Sequence, residues 1–309
     1  MRNAFIDTLC ALAEQHEDIV LLCGDLGYSV LERFADRFPR RFYNVGVAEQ
    51  NMTGLAAGLA MSGKLVVTYS IANFAVVRCL EQLRNDVCYH NAPVIAVSVG
   101  SGMAYGGQGY THHGIEDMAF TRILPNMAVV SPGDPAETRW ALRRLVERRG
   151  PASLRLGRGG EPALHGAEIE AQLGDLLPIL PGGADVTLLS TGAILPESLA
   201  AANALRERGV DAGLVSVPAV IPLDEDAIRQ LAGRSRLLVS VEEHVTEGGF
   251  GGTIAEIVAG IAGPRASLLR AGIRRNGPKT AADQREARRL HGIDAVSLVD
   301  AILAHPAWK

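Results

Sequence analysis

The stretch Phe42-Tyr-Asn-Val-Gly46-Val-Ala-Glu49-Gln-Asn51 changes period within a few residues. Residues 42–45 read as a short strand, Gly46 as a turn, and residues 49–61 as a helix rich in small side chains that can pack closely. The same change recurs on both sides. Upstream, residues 2–16 read as an amphipathic helix, and Ile19-Val-Leu-Leu-Cys23 is an apolar run ending at Gly24-Asp25, as in a strand buried on both faces. Downstream, strands are expected at 65–69, 94–99, 127–130 and 152–156, and helices at 74–91, 116–123 and 135–148. The longest irregular stretch is 100–114. From Gly157 the alternation weakens, and 161–183 reads as a linker. A second set follows, with strands at 186–190, 211–217, 237–241 and 267–269 and helices at 195–208, 224–231, 251–262 and 295–304. Strands alternating with helices predict an α/β chain of two domains, 1–160 and 184–309, each a mostly parallel sheet with helices on both faces. Ligands of such sheets bind at the carboxyl ends of strands, so the loops after Cys23, Val45, Tyr69 and Val99 should hold the chemistry.

Bulk composition narrows the class. The chain has 309 residues, 48% hydrophobic and 21% charged, enough for two ordinary domains with a substantial core. A net charge of −4 gives no electrostatic case for nucleic acid or an anionic membrane. Cys10, Cys23, Cys79 and Cys88 show no CxxC spacing and have apolar neighbours, so they read as small buried hydrophobes of a reducing compartment. Asp7 and Glu14 interrupt any signal-like run, and no stretch approaches the roughly 18 apolar residues of a membrane span. The cytoplasm is the expected location.

Several motifs have a plain reading beside a functional one. Gly58-Leu-Ala-Met-Ser-Gly63-Lys64 fits most of a phosphate-binding loop, but Leu65 replaces the hydroxyl and a helix precedes it, so a helix-ending glycine fits better. A complete GxGxxG opening a helix after a strand is absent, and so is GxSxG. Glu49 suits either a helix dipole or a chemical role. Gly107-Gln108-Gly-Tyr-Thr-His112-His113-Gly-Ile-Glu116-Asp117 lacks the HxH and HExxH metal spacings, and its acids suit a helix cap as well as a ligand site. Glu242-Glu243-His244 followed by Gly248-Gly-Phe-Gly-Gly252 fits an anion site at a helix start or, preferably, close helix–sheet packing.

Taken together these residues resemble the transketolase family of thiamine diphosphate enzymes, which includes deoxyxylulose phosphate synthase and the β subunits of 2-oxo acid dehydrogenases. The resemblance spans nearly the whole chain: a pyrimidine-binding domain up to 160 and a C-terminal domain from 184, the latter expected to be mainly structural and at subunit contacts. It implies that Glu49 contacts N1′ of the aminopyrimidine and that this proton exchange lets thiazolium C2 become a nucleophile. It implies that Phe74 stacks on the pyrimidine, with Ile71 and Val77 in the same pocket, and that Asp25 and Leu26 lie beside the thiazolium. His112 matches a histidine that bonds the substrate and assists proton transfer. Ser29, Gln108, His113 and Arg158 are the further substrate-binding expectations; Arg155 and Arg158 also read as solvated charges beside the linker.

The family holds diphosphate through magnesium on a Gly-Asp-Gly motif with a downstream Asn pair, and this chain has neither. The resemblance therefore implies a partner subunit carrying that domain, in an α2β2 assembly that shares each thiamine diphosphate and its magnesium. Gly100, Ser101 and Gln108 stand where family members read a phosphate or a donor hydroxyl, which weakens recognition of an ordinary sugar phosphate. The expected reaction is two-carbon ketol transfer from a ketose to an aldose. Decarboxylation of pyruvate or another 2-oxo acid is the alternative within the same chemistry, and a non-catalytic scaffold the alternative outside it.

Overall fold

The computed structural model describes residues 1–166, 168–277 and 280–308; Ala167 in the expected linker and Lys309 at the end of the expected second domain lie outside them. Six of the strands of the first sheet come from the first half: β1 (Ile19–Cys23), β2 (Phe42–Asn44), β3 (Leu65–Ile71), β4 (Val94–Val99), β5 (Ala128–Val130) and β6 (Ala152–Leu156). The second half supplies β7 (Leu177–Leu180), β8 (Val186–Thr191), β9 (Ala212–Ser216), β10 (Ala219–Ile221), β11 (Leu237–Val245) and β12 (Ser267–Ile273). The seven-stranded sheet runs β10-β5-β6-β4-β3-β1-β2, and the five-stranded sheet runs β12-β11-β8-β9-β7. Both sheets are parallel except at one edge each, where β10 and β7 run antiparallel.

The two edge strands depart from the sequence reading. β10 follows β9 directly in the chain, yet it pairs with β5 of the other sheet, Ala219 opposite Val130. β7 falls inside 161–183 and pairs with β9. Neither has a period that announces it, because three- and four-residue edges owe their pairing to the neighbour that offers free N–H and C=O groups. Two short helices were also unforeseen, Glu32–Arg37 and Gln284–His291. The helix expected at 74–91 is broken instead: Ala72–Ala75, a 3-10 turn at Val77–Cys79, Leu80–Gln82 and a π-helical turn over Leu83–Cys88. Consecutive β-branched Val76 and Val77 lie at the break, where helical rotamers crowd.

One core cluster fills the face of the first sheet that carries Leu22, Met52, Val66 and Met118, and it continues into Leu189, Leu238 and Phe250 of the second half. The opposite face packs Phe5, Leu9, Phe34, Tyr69 and Trp140. All four cysteines are free and buried, and burial pushes Cys79 up to about 11 and Cys88 up to about 12. They act as apolar filler, as expected. Among the described residues no helix is long and apolar enough to cross a membrane.

Candidate active site

The parallel strands β4, β3 and β1 are neighbours in the first sheet, and residues from the segments that follow β3 and β4 line one cavity. The turn after β2 delivers Glu49 to the first position of helix Glu49–Met61, where its carboxylate is 1% exposed. A carboxylate at that depth requires charged or hydrogen-bonding partners. Arg78 supplies one, Nη1 to Oε2 at 2.7 Å, and the Ser70 hydroxyl at the end of β3 supplies another at 3.3 Å. Gly24, just past β1, lies against it: a Cβ built there would be in ordinary contact with Glu49 Cγ, at 3.5 Å.

The same guanidinium lies 4.3 Å from the centre of the Phe74 ring. Phe74 thus carries a cation on one side and meets the His112 ring edge-on, 5.4 Å between centroids. The broken helix makes this possible, because the turn at Val76 sets Phe74, Val77 and Arg78 on one wall of a 620 Å³ cavity. Tyr110, Glu116 and Phe120 contribute to the facing wall. The Tyr110 hydroxyl donates to Glu116 at 2.8 Å, a bond that raises the phenol above its usual range.

The remaining expected residues are spread over the loops around the cavity and the end of β3. Asp25 and Leu26 sit in the loop after β1, with Asp25 held at a left-handed φ of 57°. Asn44 stabilises that conformation: its amide donates to Asp25 Oδ1 at 2.9 Å, and its oxygen accepts from Asp25 N and Gly46 N. Ile71 closes β3 and is half-buried. Ser29 is exposed at a φ of 63°, its N–H taken by Glu32. Gln108 is exposed in a 3-10 turn beside the turn that carries His112. His113 is turned inward, 3% exposed, with Nε2 at 3.4 Å from the Gly106 carbonyl. Arg158 is exposed and lies over the Tyr105 ring at 5.7 Å. That ring packs directly against Gly100, where φ is +74° and any side chain would meet it.

Arg155 overturns the expectation of a solvated charge. It is 3% exposed and grips Asp117 at 2.7 and 3.1 Å, the Gly114 carbonyl and the Ser131 hydroxyl. Asp117 therefore anchors the irregular loop rather than serving only as a helix cap. Glu242, Glu243 and His244 also depart from expectation: they lie within β11, fully buried or nearly so, instead of following it. Glu242 accepts the N–H groups of Phe250 and Gly251 at 2.7 Å each, so the helix start at 250 already has its acceptor inside the chain.

Asp134, Glu137 and His165 are the three metal-capable side chains that come together among the described residues. Asp134 Oδ2 already accepts the backbone N–H groups of Leu164 and His165 and faces the His165 ring at 3.2 Å. Its other oxygen caps helix Pro135–Arg148, so the cluster ties the 161–183 segment to that helix.

Arg78 is the contact that sequence reasoning missed. Its only sequence signal is a position four residues after Phe74, which a regular helix would place on the same face.

Residues 1–161 match the family described as transketolase, pyrimidine binding domain, and residues 177–297 match the transketolase C-terminal domain. The chain is 38% identical to a putative transketolase C-terminal section of Methanocaldococcus jannaschii, over 98% of this chain and 95% of that one. It is 34% identical to one subunit of an apulose-4-phosphate transketolase of Actinobacillus succinogenes, over 98% and 97% of the two chains. Its fold superposes with a TM-score of 0.87, at 32% identity, on a solved split gene transketolase described as an inactive beta4 tetramer, covering 98% of this chain and 96% of that one.

Proposed function

Since the chain belongs to the transketolase family, as its pyrimidine-binding and C-terminal domains, we propose that it is one subunit of a split enzyme that moves a two-carbon ketol unit from a ketose to an aldose. The observation that carries this reading is that one guanidinium, Arg78, joins the buried Glu49 carboxylate to the half-buried Phe74 ring at the cavity wall. A planar ring with a basic nitrogen fits that pair, since the aromatic face takes the stack and the carboxylate takes a proton on the nitrogen. The aminopyrimidine of thiamine diphosphate is such a ring, and the cofactor supplies the carbon nucleophile of the reaction.

The chain's own residues then divide the work. Glu49 holds the proton at the ring nitrogen, in surroundings that exclude water. Phe74, Ile71 and Val77 pack the ring, and the Asn44-held Asp25 and Leu26 lie toward the thiazolium side. His112, edge-on to Phe74, bonds the substrate carbonyl or hydroxyl and moves its proton. Gln108, Ser29 and Arg158 bind further along the substrate, while His113 holds the loop from inside. Tyr105 over Gly100 replaces a cationic contact with an aromatic one, which favours a substrate other than the usual sugar phosphate.

The diphosphate and its magnesium are assigned to a second subunit, because the sequence lacks Gly-Asp-Gly and an Asn pair. Two similar proteins favour a chain that needs a second kind of subunit: one is a single subunit of an apulose-4-phosphate transketolase, and the other, built of one kind of chain, is an inactive beta4 tetramer.

Co-expression with a chain of similar length carrying Gly-Asp-Gly tests the proposal. The complex should show thiamine diphosphate- and magnesium-dependent ketol transfer that neither chain shows alone. Glu49→Ala should lower its turnover by about 10²- to 10⁴-fold. Wild-type activity of that variant would remove the cofactor assignment, and carbon dioxide release from pyruvate would replace transfer with decarboxylation.

A further inference from the structure

The glycine-rich loop 100–114 belongs to the first sheet by sequence, yet β11 of the second sheet holds both of its ends. Met103 N–H donates to Glu243 Oε1 at 2.6 Å, and Val245 N–H donates to the Ile115 carbonyl at 2.9 Å. Between them in β11, His244 Nε2 accepts from Ala119 N–H at 3.3 Å. The Met103 and Ile115 side chains are 1% and 4% exposed and sit in the core cluster of the second sheet.

Glu243 is the hub of this seam. Gln284 Nε2 donates to both of its oxygens, at 2.9 and 3.1 Å, and Arg288 reaches it through Nε at 2.8 Å and Nη2 at 2.7 Å. Arg288 is itself oriented by the Ala193 carbonyl at 3.0 Å and by Glu197 at 3.6 Å. The loop seats directly on the carboxylate: Gly102, at a φ of +68°, passes so close that an added Cβ would lie 2.7 Å from it. Four residues on, Gly106 makes a second contact, to the Ala282 backbone in the segment leading to Gln284.

Within the loop, Gly102 and Gly114 exchange backbone hydrogen bonds at 2.8 Å, and short 3-10 turns carry the chain from 106 to 112. A loop with so little regular pairing takes its shape from what it is docked on. We infer that Glu243 is a positioning residue: through Met103 it sets the loop that presents Gln108 and His112, so the second domain fixes the geometry of a site built on the first. This rests on the proposed role of that loop in binding substrate. Charge is central to it, because an ionised acceptor makes stronger bonds to N–H and guanidinium than a neutral one of the same shape.

Glu243→Gln keeps the size and removes the charge. Hydrogen exchange on the full chain should show residues 103–114 exchanging about tenfold faster or more, while strands β8 and β9 keep their protection. In the reconstituted complex, with hydroxypyruvate as donor, KM should rise about tenfold while thiamine diphosphate affinity stays within about twofold. Unchanged exchange at 103–114 would overturn the inference, and so would a uniform acceleration across the second domain with donor KM and cofactor affinity shifting together. If Glu243→Gln does not accumulate, Gln284→Ala removes one donor to the same carboxylate and should give the same pattern, smaller. His112→Ala separates the two readings. If it leaves turnover intact, the proposed role of the loop fails and the exchange result stands on its own. If it abolishes turnover while Glu243→Gln changes nothing, the positioning role fails and the proposed function survives.

Discussion

Glu49 and Asp117 are both buried carboxylates that face one arginine, and they differ in what lies behind that arginine. Arg155, opposite Asp117, has 3% of its side chain exposed, and the Gly114 carbonyl and Ser131 hydroxyl accept from two more of its N–H groups. Arg78, opposite Glu49, has 43% of its side chain exposed and rests on an aromatic face at the cavity wall. The first pair is closed on every side by its own chain. The second buries its acid but leaves nearly half of its arginine side chain exposed at the cavity wall. That difference separates a buried ion pair that holds the fold from the one proposed to belong to a site, although the two read alike as an acid and a base far apart in sequence.

The closed pair should be the less dispensable of the two. Arg155→Met leaves Asp117 buried without its partner and should cost about 3–5 kcal/mol in urea unfolding. Arg78→Met should cost roughly half of that or less, because 43% of the Arg78 side chain is already exposed and the Ser70 hydroxyl still donates to Glu49. Equal losses would erase the distinction.

Glu242 sharpens it, as a buried acid held by two neutral N–H donors. Burial pushes its carboxyl up to about 7, against the pull of Gly251 and Phe250 N–H. Unfolded, it returns to about 4.5, so the folded chain keeps an extra proton between those values. Stability from this group is therefore fully present below the unfolded value and is lost as pH rises through about 7. His244 beside it is pushed down to about 4 by burial, and its contribution is lost in the other direction, as pH falls below about 6.5. Glu242→Gln should remove about 2 kcal/mol of the decline in unfolding free energy between about pH 5 and 8 and leave the acid side unchanged. A wild-type slope in the variant would place the titration elsewhere.

The smallest effect belongs to the open side. Phe74→Ala should weaken thiamine diphosphate binding by the complex about tenfold, read by calorimetry, with little change in melting temperature because the ring is only half-buried. A large loss of stability with unchanged affinity would move Phe74 from the site to the core.

Much of this was legible in the residues. The apolar runs at 19–23 and 94–99 announced buried parallel strands, and the small-residue helix after Gly46 put Glu49 at a strand's carboxyl end. His112 stood out because it sits among glycines. Arg155, by contrast, carried the same letter as the exposed Arg158 three residues later, and nothing local distinguishes them. β10 was invisible because its partner, β5, lies about 90 residues away in sequence. Glu243 read as part of a loop after a strand, since a run of acids ordinarily marks solvent.

The alternation of strands and helices, the two-part division of the chain, and the place of Glu49 at the start of its helix could all be read from the residues. These follow from periodicity and from short-range backbone chemistry, which neighbouring residues decide. Which charges are buried, and which groups answer them, emerged only when distant segments packed together: Asp117 is answered by Arg155, Glu49 by Arg78, and Glu243 by Arg288 and the loop it holds. The desolvation of a charge depends on everything that surrounds it in space, and in each of these pairs the answering group comes from a different element of the chain.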